Sequence, residues 1–577
     1  MKELKIALRL LFGTKGTRAL VWIALFATLC TALMPTLPPF LMKRTIDDGV
    51  LKNDPDTLLF FAGLFVAAVI VELIFSLASQ TSLALLGQKA MHDLRGRLFA
   101  HLQSLDLGYF EREPRGRVLT RLTSDVEALS EMFTSGAVTM FADFVVALGI
   151  VFAMLLLDAK LTAIVFLTVP PLIVLSEIFR RKARDAFRDI RARVARLNGF
   201  AAEHLAGAEV IQAFRQHASA EKRFDAINEE LQVSQRSAIS VDATLFAVVE
   251  AIGSTAVAAM IWFAARDLIS GALQLGVLVA FIQYVQRFFI PIRDLSAKFA
   301  IIQSGFAAAE RVDQFLAVKP ALSVPAAPRT QAKMLPVRFE RVGFAYSGGK
   351  PVLNDVSLTI EPGKKIALVG ATGAGKTTFV KLLLRLVDAS DGRIVANDLP
   401  IGEWDLAAMR RRVAIVPQDP VIFAGTVRDN LREFDPAISD DAIWAAARAI
   451  GTDKLILRLP LGLDHPLKER GTNLSSGEAQ LIAFTRALIR EPELLVLDEA
   501  TSSIDATNEA AITRGLSVLL ENRAALVIAH RLATLRMCDE IIVIEHGKIA
   551  ERGTHDGLVE RGGLYAALYE LQFQKSA

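Results

Sequence analysis

The first three hundred or so residues hold six long apolar windows, each near the length that carries a helix across a bilayer, roughly 20 residues. They run at 20–42, 58–78, 134–157, 161–179, 243–265 and 272–292. Five are continuous. The sixth carries Gln283, Gln286 and Arg287, and on hydropathy alone it reads either as a span or as a soluble amphipathic helix. Past Gln303 the pattern stops. Residues 318–336 are rich in Pro and Ala, the composition of a connecting segment, and from Val337 short β-branched runs alternate with helical stretches. This pattern predicts an all-α membrane domain of six transmembrane helices over 1–304, a linker over 305–336 and an α/β domain over 337–577.

Composition agrees with a membrane protein: 52% of residues are apolar, 22% are charged and the mean hydropathy is +0.38. At 577 residues the chain exceeds what one core holds. A net charge of +3 argues against a dedicated nucleic-acid partner. Cys30 and Cys538 stand far apart in unlike contexts, which implies neither a disulfide framework nor a cysteine zinc site. The N-terminal apolar run lacks a small-residue cleavage pattern and reads as retained.

Basic residues set the orientation. Residues 85–133 hold seven Lys or Arg and residues 180–236 hold twelve, whereas the opposite connections, such as 158–160, are short. Lys and Arg stay on the cytoplasmic side of short loops, so both termini, both large loops and the α/β domain are expected in the cytoplasm, beneath the cell's inner (cytoplasmic) membrane. The large loops are patterned as helices, which predicts spans that continue well into the cytoplasm and turn back. Glu72, Asp143 and Glu250 interrupt apolar windows. Each is expensive there unless paired between helices or facing a wet cavity that favours cations.

The chemistry is concentrated in the α/β part. The strand KKIALVG, 364–370, runs into ATGAGKTTFV, and Gly370 to Thr377 match a P-loop, in which backbone amides and a helix N-terminus cradle phosphates. Thr372, Gly373, Ala374 and Gly375 line that loop, and Thr378 follows it. Gly373 and Gly375 let the backbone approach the anion, Lys376 brings a point charge to the β/γ-phosphates and Thr377 offers a hydroxyl to Mg²⁺. LLVLDEA, 494–500, reads as a buried strand ending in two carboxylates. Asp498 is placed to hold the metal and Glu499 to polarise the attacking water. AALVIAH ends at His530, whose imidazole can donate to the γ-phosphate and keep the water in line.

The order of P-loop, VPQDP around Gln418, NLSSGE, LDEATSSID and IAHRL resembles the nucleotide-binding domain of ABC transporters, and six spans before one such domain resemble an exporter half-transporter. The likeness covers essentially the whole chain. It implies a P-loop NTPase (ABC) fold for 337–577, with ATP and Mg²⁺ as cofactors. Tyr346 would stack on adenine, Gln418 would contact Mg²⁺ and sense the membrane domain, and Asp505 would face a partner subunit. Phe110 and the region about Ala206 to Phe214 would lie at the two cytoplasmic turns. Tyr346 also reads as a small core contact beside a Gly-rich turn.

The resemblance further implies two nucleotide-binding domains that sandwich ATP, each P-loop facing the partner's signature loop, so that ATP binding closes the pair and hydrolysis reopens it. Here that loop is Ser475, Ser476 and Gly477, with Ser476 where the family keeps glycine. Such an alteration beside intact Walker motifs resembles a subunit of a heterodimeric exporter; a homodimer with two slightly slow sites is the alternative. The activity implied is ATP-hydrolysing export of a hydrophobic or amphipathic substrate, a drug-like compound, lipid or peptide, by alternating access across the lipid bilayer. A homodimeric lipid flippase-like exporter and an ATP-gated channel or regulator on the same scaffold remain open. A soluble mechanical ABC ATPase is disfavoured by the six apolar windows.

Overall fold

The computed structural model describes residues 6, 18–322, 325, 327–346, 349–498, 506–529 and 532–573. They form two compact units, Met1–Ser104 with Pro114–Val318, and Leu105–Glu113 with Lys319–Ala577.

Among the described residues of the first unit, five helices are long and apolar enough to cross a membrane: Ala19–Val50, Pro55–Ser104, Arg115–Leu157, Ala159–Ala206 and His217–Ile269. A sixth helix, Leu275–Leu316, has a shorter apolar stretch, Leu275–Pro291. The helix Pro55–Ser104 has 50 residues and so spans roughly 75 Å at 1.5 Å per residue. A hydrocarbon core is about 30 Å thick, so more than half of this helix lies outside it. Trp22, Phe60, Phe152 and Trp262 are exposed on the helix surfaces, where a bilayer accepts them.

The sixth helix is the centre of the unit's core. Phe281, Tyr284, Val285 and Phe288 are buried against Ile150, Met154, Val165 and Met260. Its polar residues, which blur the hydropathy signal, have specific partners. Pro39 lacks the N–H that would close the helical bond to the carbonyl of Pro35, and Arg287 donates to that carbonyl at 2.8 Å. Tyr284 donates to the carbonyl of Thr36 at 2.6 Å. Asp143 is ion-paired with Lys298, so it takes the paired alternative rather than the wet-cavity one.

Towards the C-terminal end of the sixth helix, Arg311 reaches Asp125 through bonds of 2.6, 3.1 and 3.2 Å, and His101 meets the carbonyl of Phe315 at 3.0 Å. The sixth helix keeps Ala308, Ala309, Val312 and Phe315 buried at helical spacing, and for that reason it runs on to Leu316, into the stretch expected as linker from residue 305. Helices four and five pair through Arg193 and Arg196 on Glu230, at 2.7 and 2.9 Å. Their tip is the short helix Ala208–Ala213, where Leu205, Val210 and Phe214 are 77%, 60% and 72% exposed.

The second unit is built on a six-stranded sheet. In spatial order its strands are Lys548–Gly553, Glu540–Glu545, Lys365–Val369, Ala524–Ile528, Leu494–Asp498 and Val413–Val416. All but the first are parallel to their neighbours. Ile366, Leu368, Val496 and Leu526 enter one core, and Ala367, Val369, Leu497 and Val527 the other. Burial on both faces is why these strands read as unbroken apolar runs rather than as alternation. An antiparallel sheet led by Val337–Ala345 and Pro351–Ile360 contributes to the first core, and a helical cluster around Val427, Ile443 and Ile482 forms a third.

Candidate functional site

The parallel strands point their carboxyl ends at one edge, the position where open α/β sheets bind ligands. Register aligns Leu368 with Ile528, Ile528 with Asp498, and Leu497 with Val416. The P-loop, Asp498 and the residues leading to Gln418 therefore leave the sheet at the same level. Glu499, Asp505 and His530 lie outside the described residues; the strands that precede Glu499 and His530 end at this edge.

Gly373 and Gly375 have φ of +85° and +109°, in the left-handed region that a side chain disfavours. A Cβ at Gly375 would also meet Leu353 Cδ2 at 2.7 Å and the Val352 carbonyl at 3.1 Å. The helix Lys376–Leu383 starts there, no side chain caps it at Gly375, and helix N-termini of this kind accept phosphate oxygens. Lys376 is buried and folds its ammonium over its own loop, donating to the carbonyls of Gly370 at 2.6 Å and Ala371 at 3.1 Å. Gly370 leaves the strand beside the Ile544 carbonyl. Thr372 and Thr377 are exposed, whereas Ala374 is packed in the core and offers the site only its backbone.

Asp498 is half-buried, and Gln418 is exposed in the loop after Val413–Val416. Together with Thr377 they are oxygen donors, the set a hard divalent cation prefers, and they fit Mg²⁺.

Tyr346 serves as a core contact and as a neighbour of the P-loop helix together. Its ring meets Phe344 edge-on at 4.9 Å, and its hydroxyl lies 3.3 Å from Thr378 Oγ1 and 3.2 Å from Lys381 Nζ. Thr378 is thus engaged by Tyr346. Lys381 also donates to Glu111 at 2.6 Å. Burial works to lower the Lys381 pKa, but the bonds to Glu111 and Tyr346 outweigh it and hold the ammonium above the ordinary lysine value.

The signature segment opens a capped helix. Ser475 caps the helix Ser476–Ile489: its hydroxyl accepts from the Glu478 amide at 3.3 Å, and the Glu478 carboxylate accepts from the Ser475 amide at 2.9 Å. Glu478 is also ion-paired with Arg458. Ser476 is the exposed first residue of a regular helix and Gly477 is buried in its first turn. A glycine at 476 is therefore not needed for an unusual backbone angle, and the serine changes only the space in front of the helix. Glu478 escaped notice, although Ser-x-x-Glu ahead of an apolar run is a capping-box pattern. Lys381 and Glu111, 270 residues apart, carry no such pattern.

Residues 21–292 match the model of the ABC transporter transmembrane region, and residues 353–502 match the ABC transporter model. The chain is 34% identical to a probable multidrug resistance ABC transporter ATP-binding/permease protein of Bacillus subtilis, over 89% of this chain and 76% of that one. It is 32% identical to an ATP-dependent lipid A-core flippase of Nitrosococcus oceani, over 93% of this chain and 90% of that one. Among solved structures, a bacterial Atm1-family ABC exporter with ATP bound matches with a TM-score of 0.78 at 26% identity, covering 97% of this chain and 99% of the other. With a phosphate-cradling loop at the edge of a parallel sheet and a helical membrane unit before it, this chain belongs to the ABC transporters of the exporter type, multi-pass membrane proteins that bind ATP, work as dimers and couple its hydrolysis to export.

Proposed function

We propose that this chain exports a hydrophobic or amphipathic substrate across the cytoplasmic membrane by alternating access, paired with a non-identical half-transporter. The observation that carries the pairing is the contrast between a P-loop with every expected residue and a signature loop altered at Ser476 and closed by Glu478. The exposed apolar tip at Leu205, Val210 and Phe214 supports a partner chain seated on it. An apolar cavity of about 270 Å³ between the first three helices, lined by Ala24, Thr28, Leu86, Phe133 and Phe141, supports an apolar moiety in the substrate. Relatives named as a probable multidrug resistance transporter and as a lipid A-core flippase keep drug-like compounds and lipids in that class.

In this reading the membrane part, 1–304 extended by the last helix, moves the substrate, and 337–577 hydrolyses ATP. The Lys- and Arg-rich loops support a cytosolic position for that domain. Amides of the loop from Gly370 to Gly375 and the leading turn of its helix hold the phosphates, Lys376 neutralises their charge and Tyr346 stacks on the adenine. Thr377, Asp498 and Gln418 would hold Mg²⁺, which supplies charge neutralisation at the β/γ-phosphates. Glu499 polarises the attacking water, His530 keeps it in line, and Asp505 faces the partner. These residues meet the partner's intact signature and form the competent site. The chain's own Ser475, Ser476 and Gly477 face a slow one.

The test is to purify the chain alone and with candidate half-transporters encoded beside it, in nanodiscs. ATPase that rises at least about tenfold with one partner supports the heterodimer. Full activity of the lone chain, unimproved by any partner, overturns it in favour of a homodimer. Uphill accumulation of a fluorescent lipid or dye in inverted vesicles separates pump from gated channel.

A further inference from the structure

The residues Leu105–Glu113 belong by their packing to the nucleotide-binding unit, not to the membrane unit that precedes and follows them in sequence. Asp106 caps their short helix, Leu107–Arg112, and its second oxygen accepts from the Ala321 amide at 2.8 Å. That bond is a plain tether. The other is Glu111 on Lys381, and Lys381 rides on the helix that begins with Lys376 and Thr377. From there its ammonium reaches the Tyr346 hydroxyl as well, lying 5.4 Å from the ring centroid.

We propose that Lys381 is a positioning residue that makes the first cytoplasmic turn sensitive to bound nucleotide: one ammonium holds Tyr346 on one side and Glu111 on the other. The inference rests on the reading of Tyr346 as the adenine-stacking residue. An ammonium has three donors and can hold two acceptors at once, and its bond to a carboxylate is charge-assisted. With only 17% of the Lys381 side chain exposed, few solvent geometries are open to it. A base stacked on Tyr346 narrows the positions of the ring and its hydroxyl. The ammonium narrows with it, and the Glu111 carboxylate follows. Without the base, ring, ammonium and turn share a wider set of positions. Coupling of this kind is reciprocal, so releasing Glu111 also loosens the ring.

The link predicts more than adhesion does. If Lys381 only glued the turn in place, its loss would loosen the turn equally with and without nucleotide. The measurement is amide hydrogen exchange over 105–113 in the full chain in nanodiscs, with and without AMP-PNP. AMP-PNP is expected to slow exchange there by about tenfold in the parent. Lys381→Met should bring that ratio near one while AMP-PNP still binds, and the double swap Lys381→Glu with Glu111→Lys should restore it. A turn indifferent to AMP-PNP in the parent, or a ratio that survives in Lys381→Met, overturns the link. Tyr346→Ala tests the underlying reading separately: unchanged AMP-PNP affinity there removes the stacking role itself.

Discussion

Two helices of the nucleotide-binding unit begin at loops that the family devotes to phosphate, and they begin differently. Lys376–Leu383 opens after Gly375 in the left-handed conformation with no side-chain cap. Ser476–Ile489 opens with a complete capping box, and the carboxylate in it is also held by Arg458. A helix N-terminus carries about half a positive charge on unsatisfied amides, and it attracts an anion to the extent that those amides stay open. The first terminus carries no side-chain cap. At the second, a hydroxyl and a carboxylate of the chain itself are already in place, and the carboxylate repels phosphate. The same local device of a loop running into a helix is therefore a strong anion site in one case and a weak one in the other, and the difference lies in Gly375 against Ser475 and Glu478.

The largest effect should come from the competent side. Glu499→Gln keeps the size and hydrogen bonding of the side chain and removes its basicity. ATP binding should persist while turnover falls by about 10²-fold or more, the usual cost of losing a positioned base. Steady-state ATPase together with nucleotide binding checks it, and parental turnover in the Gln variant would take the role away from Glu499.

Next is the uncapped terminus itself. Gly375→Ala forces a Cβ onto φ of +109° and into Leu353. Strain of this kind costs about 1–3 kcal/mol, so nucleotide affinity should fall by about tenfold or more as the loop shifts to relieve it. Displacement of a fluorescent ATP analogue measures this directly, and unchanged affinity would mean that the left-handed turn does not shape the cradle.

How far these features were legible follows from whether their causes are local. The P-loop, the strand ending at Asp498 and five of the spans are patterns within some 20 residues, and the sheet edge that unites the first two follows from parallel pairing. The sixth span was blurred because Arg287 is satisfied by a carbonyl that Pro39 leaves open in the first span, a relation 252 residues long. The paired state of Asp143 depends on Lys298, 155 residues away. The placement of Tyr346 between Phe344, Thr378 and Lys381 is likewise tertiary. Glu478 is the exception, because its capping box is a local Ser-x-x-Glu pattern.

On the closed side, Glu478→Gln sharpens the comparison. Gln at the third helical position preserves the reciprocal capping geometry and deletes the negative charge. A charge at a helix end contributes about 0.3–1 kcal/mol, so the ATPase of the lone chain, in which every site would use this signature, should rise by roughly two- to fivefold. The pairing with Arg458 softens the present repulsion, and Arg458→Ala should move the rate the other way. A Gln variant with unchanged ATPase would mean that the carboxylate swings clear of the phosphate in the closed pair.

The smallest effect is expected at Ser476, where the family keeps glycine. Ser476 sits at the first position of a regular helix, so glycine there gains no backbone conformation that serine lacks. Glycine even costs the helix up to about 1 kcal/mol in conformational entropy. What Ser476→Gly gives is room, because it removes one Cβ and one hydroxyl in front of amides that Ser475 and Glu478 continue to engage. Its effect on the lone chain's ATPase should stay within about twofold. In the Glu478→Gln background the same substitution should do more, since the approaching phosphate then meets open space and no opposing charge. A four-variant cycle of parent, each single change and the double measures that coupling as the departure from additivity. If Ser476→Gly alone raised the rate more than Glu478→Gln, steric exclusion rather than charge would separate the two helix termini.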